Sequence, residues 1–141
     1  MNTVTWRYWT ICIVALLWNA FGAMDYVMTQ TRNEAYMSQF TPEQLDYFYN
    51  FPAWVSFTWA IGVWGAVLGS ILLLLRKAWA VWAFVASLAG IVSTAIYNFV
   101  LSDGLEIMGV GIALGFTIAV FVIGIGLFMF SRAMQQRGVL T

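Results

Sequence analysis

Four apolar stretches, separated by short polar or turn-forming segments, organise this 141-residue chain. They run Tyr8–Met28, Ala53–Leu75, Ala78–Leu101 and Ile107–Phe130, and each reaches the roughly 20 residues that a helix needs to cross a hydrocarbon core. None alternates polar with apolar positions, as the strands of a membrane barrel do. Pro52 precedes the second stretch, and Ser102-Asp103-Gly104 breaks the chain between the third and fourth. Only Arg76-Lys77 separates the second from the third. So short a connection makes those two spans antiparallel neighbours. The pattern predicts an all-α fold: a membrane-embedded four-helix bundle forming one domain over residues 1–141.

The connection Thr29–Pro52 is the one sizeable polar segment. Within it Thr41-Pro42-Glu43-Gln44 reads as a helix start, with Thr41 as cap, Pro42 in the first turn and Gln44 closing a capping box. The short amphipathic helix that follows places Leu45, Phe48 and Tyr49 on one side and Asp46 towards water, as for a helix lying on a membrane surface. Met134–Thr141 reads as a short frayed tail.

Composition strengthens the membrane reading. Hydrophobic residues make up 62% of the chain and charged residues 9%, against about 25% charge in a soluble domain. Net charge is zero, which gives no reason to expect a nucleic-acid partner. The first apolar stretch is long for a signal peptide and no small-x-small site follows it, so it is expected to remain as a span.

Charge placement sets a direction. Arg7, Arg76, Lys77, Arg132 and Arg137 fall at one end of the spans; Arg32 falls at the other with Asp25, Glu34, Glu43, Asp46, Asp103 and Glu106. By the positive-inside rule the basic end is cytoplasmic, which predicts a multi-pass protein of the inner membrane with both termini inside. Trp6, Tyr8, Trp9, Trp79 and Trp82 would form one interfacial belt, and Phe51, Trp54 and Phe57 the other.

Missing residue types narrow the chemistry. There is no histidine, and Cys12 is the single cysteine. The commonest haem and zinc ligand, the usual general base, and any disulfide or paired-thiol chemistry are therefore absent. We expect no catalytic residues, no cofactor and no metal.

Small residues form a stripe on each span, where membrane helices approach closely. Asn19 and Gly22 mark it on the first, Gly62, Gly65 and Gly69 on the second, Ser87 and Gly90 on the third, and Gly111 and Gly115 on the fourth, where Gly104, Ala119 and Gly126 extend it. These are the expected packing residues, while Leu73 is read as lipid-facing. Asn19 lies midway along its span, level with Ser87 and Gly90, and reads as an amide held by an interhelical bond. Asp25, Thr58, Tyr97 and Asn98 lie at a shallower common depth on three inward stripes. A carboxylate there can mark a polar site, so these four form the candidate site, with Asp25 expected to accept from Thr58 and Asn98. The aromatic residues Tyr47, Phe48, Tyr49, Phe51 and Trp54 could instead stack on a sugar ring.

Trp18-Asn19-x-x-Gly22, then Pro52-Ala53-Trp54, then Gly65-x-x-x-Gly69 running on through Leu74-Leu75-Arg76-Lys77-x-Trp79-Ala80 to Ser87-Leu88-x-Gly90 resembles a bacterial family of small four-span inner-membrane proteins often labelled "sugar transporter". The resemblance implies an inner-membrane protein and assigns no binding residues. Two function classes follow. One is a non-catalytic accessory or assembly subunit, whose partners are the lipid bilayer and either further copies of itself or a larger membrane complex. The other is a small-solute, sugar-type transporter acting as an oligomer. The first is preferred, because no ionisable residue lies deep in a span and no internal repeat relates the two hairpins.

Overall fold

A computed structural model describes residues 4–141. Its long helices are α1 (Trp6–Gln30), α4 (Ala53–Leu74), α5 (Trp79–Ile96) and α7 (Val110–Gln136). Three short helices lie in the connections: α2 (Glu34–Met37) and α3 (Pro42–Tyr49) before α4, and α6 (Gly104–Met108) before α7. A π-helical turn, Tyr97–Leu101, continues α5. No strand occurs among the described residues. The four long helices, α5 taken with its π turn, are each long and apolar enough to cross a membrane.

The helices form an open row, α1 beside α4, α4 beside α5, α5 beside α7. The α4–α5 pairing is the closest, and glycine explains why. A Cβ added at Gly90 would stand 2.5 Å from the Thr58 carbonyl oxygen and 2.6 Å from the Gly62 nitrogen. Gly65 packs closely but less tightly, a Cβ there standing 3.2 Å from Ala83 and Ser87, and Gly69 receives the Phe84 ring. The Ser87 hydroxyl completes the seam by donating to the Gly62 carbonyl at 2.6 Å. On the other side of α4, Asn19 donates to Ser70 Oγ at 2.8 Å and to the Ala66 carbonyl at 3.3 Å. Its amide thus ties α1 to α4, with partners on a different helix from the residues at its own level in the sequence.

At the basic end the row closes on itself. There Tyr8 stacks on Phe130 at 5.7 Å, and Tyr8, Cys12, Leu73, Phe84 and Leu127 from all four long helices share one core with Val139 and Leu140. Leu73 is fully buried, which corrects its reading as lipid-facing. Hydropathy alone cannot tell an inward leucine from an outward one in a run of four. The tail is also ordered where fraying was expected. After α7, Gly138 adopts φ 77° and Val139 N–H returns to the Met134 carbonyl at 2.9 Å. Arg76 then clasps the tail: its Nε donates to the Val139 carbonyl at 3.1 Å, and its own carbonyl accepts from Thr141 N–H at 3.1 Å.

Three other expectations need correction. The fourth span starts at Val110, not Ile107, and runs to Gln136, beyond Phe130. Gly109, at φ 94°, separates it from α6, a break hidden inside continuous apolar sequence because only glycine adopts that backbone freely. Gly104 belongs to α6, where it is buried. Finally, Gly22, Gly111 and Gly115 are not packing positions among the described residues: a Cβ at any of them, or at Gly126, would meet none of these within 4 Å. The glycine that α7 presents to α5 is Gly124, against Leu88 at 3.1 Å. At 100° per residue Gly115 and Gly126 lie on the opposite side of the helix.

Candidate functional site

The acidic end carries the polar side chains in which a binding site was sought, and local capping decides where they go. Asn33 caps α2 by accepting from Tyr36 N–H at 3.0 Å, which turns the Tyr36 ring back towards α1. Its hydroxyl donates to Asp25 Oδ1. Burial, with the Asp25 carboxylate as acceptor and nearby negative charge, pushes the Tyr36 phenol up to about 12. Thr29 donates to the Asp25 carbonyl at 2.8 Å and is itself buried.

The capping box of α3 is formed as the sequence predicts: Gln44 N–H donates to Thr41 Oγ1 at 3.2 Å and Thr41 N–H to Gln44 Oε1 at 3.1 Å. Gln44 Nε2 also reaches the Ile107 carbonyl at 3.2 Å, so the same side chain docks α3 onto α6. Asp46 faces out and Leu45, Phe48 and Tyr49 are half-buried. Tyr47, from that docked helix, donates to Asn98 Oδ1 at 2.5 Å and lies 2.8 Å from Ser102 Oγ. Ser102 in turn donates to the Tyr97 carbonyl at 2.8 Å inside the π turn. Burial raises the Tyr47 phenol, partly offset by Ser102. Gly104 makes room for this contact, since a Cβ there would lie 2.6 Å from the Tyr47 hydroxyl.

The four candidate residues therefore do not share a site. Asp25 is taken by Tyr36, Asn98 by Tyr47, and Thr58 by Thr94 at 3.1 Å and the Val55 carbonyl at 3.0 Å. Tyr97 contributes its ring, stacked near Tyr47 at 6.2 Å and edge-on to Phe51 and Trp54. The expected bonds from Thr58 and Asn98 to Asp25 are not made, because the loop supplies closer partners. Sequence reasoning placed the loop helix on the membrane surface and read Tyr47 only as a stacking ring, so it missed the hydroxyl partners Tyr36, Tyr47 and Ser102. The signal for Tyr36 was present, an Asn-x-x-Tyr cap immediately after the first span. The loop aromatics likewise pack mainly on one another, Tyr47, Phe48 and Phe51 meeting edge to face, and do not stand as an open stacking platform.

What remains at this end is a small polar cavity of about 100 Å³, lined by Thr29, Gln30, Arg32, Phe48, Tyr49, Phe51 and Ser56. Arg32 sits in the left-handed region at φ 53°, with its guanidinium 4.3 Å from the centre of the Tyr49 ring. The cavity is about a third of the lower bound, about 300 Å³, of ordinary small-molecule sites. Compared with protein-family models, with characterised proteins and with solved structures, the chain gives no match.

The Tyr36–Asp25 bond has a measurable consequence. A phenol whose folded value is raised stabilises the fold fully below its ordinary value near 10, and that contribution is lost as pH rises through the folded value, about 12. In detergent, the difference between the phenolate absorbance titrations of wild type and Tyr36→Phe should show one tyrosine ionising close to pH 12. A difference step at pH 10 would show that the bond is not formed.

Proposed function

We propose that this chain is a non-catalytic accessory or assembly subunit of the bacterial inner membrane, with its basic end in the cytoplasm, and that it packs through α7 against further copies or a larger membrane complex. The observation that carries this reading is the face of α7 turned away from α5. Gly111, Gly115 and Gly126 are open there, flanked by exposed Ile112, Val122 and Met129. Small residues let membrane helices approach closely, and among the described residues none packs on these glycines. Polar side chains in the middle of the spans are already committed to helix contacts, Asn19 to Ser70 and Ser87 to Gly62. That leaves solute transport as the weaker reading, and the 100 Å³ cavity is too small for a sugar.

Because nothing among the described residues lies within 4 Å of a Cβ at Gly115, Gly115→Leu should leave the melting temperature of the isolated protomer unchanged while lowering the mass of the native complex in mild detergent. An unchanged mass would remove the basis for an assembly role. Orientation is tested separately. A cysteine replacing Glu34 should react with an impermeant thiol reagent on spheroplasts, and one replacing Gln136 should not; the reverse would invert the topology.

A further inference from the structure

Above the Tyr8–Phe130 contact, α1 and α7 diverge and leave an open-sided groove of about 330 Å³. Its walls are Ile11, Val14, Ala15 and Trp18 from α1 and Ile123 and Leu127 from α7. Thr10 also lines it, but its hydroxyl donates to the Trp6 carbonyl at 2.9 Å, so the groove offers apolar surface. Thr10 to Trp18 spans about 12 Å of helix. An open-sided apolar slot of that length, walled by two helices, fits the contour of a single hydrocarbon chain lying along it.

Charge supplies the other half of the recognition. Arg7 precedes Ile11, Val14 and Trp18 by four, seven and eleven residues, which places it on the same stripe of α1, below the groove at the basic end. It is exposed, with its guanidinium 5.8 Å from the Trp6 ring centre. A guanidinium at headgroup level beneath an apolar slot is complementary to an anionic phospholipid. We propose that the α1–α7 groove binds one anionic phospholipid, an acyl chain lying along Val14 and Leu127 and the phosphate meeting Arg7. On α7, Ile123 and Leu127 lie roughly 60–120° around the helix from Gly115 and Gly126, so the groove adjoins the assembly face without sharing its glycines.

The test is native mass spectrometry of the full chain in detergent, titrated with phosphatidylglycerol or with phosphatidylethanolamine of the same acyl chains. Wild type should retain one phosphatidylglycerol with roughly fivefold preference, as one basic side chain near the surface confers. Arg7→Gln should abolish the preference, while Lys77→Gln, a charge change at the same end away from the groove, should keep it. Val14→Phe, which fills the groove from an already exposed position, should lose retention of both lipids at an unchanged melting temperature. Equal loss of preference in Arg7→Gln and Lys77→Gln would show general surface charge only and overturn the proposal. Unchanged retention in Val14→Phe would show annular lipid only, and a dimer that occludes the groove without lipid would assign it to a second copy; either overturns it as well.

Discussion

Gly90→Ala is expected to be the most disruptive single-methyl change in this chain. The added Cβ would lie 2.5 Å from the Thr58 oxygen and 2.6 Å from the Gly62 nitrogen, and both obstacles are backbone. Neither can rotate aside, so α4 and α5 must separate along the whole seam. That separation also stretches the Ser87–Gly62 bond and the Thr58–Thr94 contact on either side. Overpacking typically costs about 1–3 kcal/mol, and a clash with two backbone atoms belongs at or beyond the top of that range. Gly115→Ala is the matched control, with open space around it. Thermal melts in one detergent should show a large drop for Gly90→Ala and none for Gly115→Ala. Equal shifts would mean that the close approach of α4 and α5 is misplaced.

Leu73→Ala should be the most costly truncation among the four leucines at the end of α4. Its side chain is 0% exposed and sits in the core where all four long helices meet, and its carbonyl accepts from Tyr8. Leucine-to-alanine changes in soluble cores cost about 2–5 kcal/mol. In lipid the transfer share shrinks, because hydrocarbon surrounds the helix in either state, but the lost packing remains. The expected cost is therefore near the lower end, about 2 kcal/mol. Leu75→Ala, two residues on and 61% exposed, should cost almost nothing. Similar melting temperatures for the two variants would contradict the placement of this core.

Leu73 also marks how far the sequence could be read. Hydropathy located the four helices, with ends off by as much as six residues at the close of α7, since a run of some twenty apolar residues has few structural alternatives. The capping box at Thr41 and Gln44 was equally legible, because it is written in local side-chain chemistry. What a run such as Leu72-Leu73-Leu74-Leu75 withholds is rotation, since every face is apolar. The same ambiguity misplaced Gly111 and Gly115. Their spacing is that of packing residues, and only the turn of α7 towards Leu88 through Gly124 shows that they point outward. The candidate site was half legible. Depth correctly grouped Asp25, Thr58, Tyr97 and Asn98 near one end, but the partners came from loop tyrosines whose reach depends on how α2 and α3 fold back. Gly109 was invisible for a related reason, since a glycine amid apolar residues gives no sign of which φ it adopts.

The central claim is that the outward glycine face of α7 is an assembly surface, and site-specific photocrosslinking in native membranes tests it most directly. A photoreactive residue in place of Gly115 should give a discrete adduct, either with a second copy of the chain or with one other membrane protein. The same residue in place of Leu68, exposed on α4, should give none. Adducts of equal yield from both positions, or lipid adducts alone from position 115, would contradict the account.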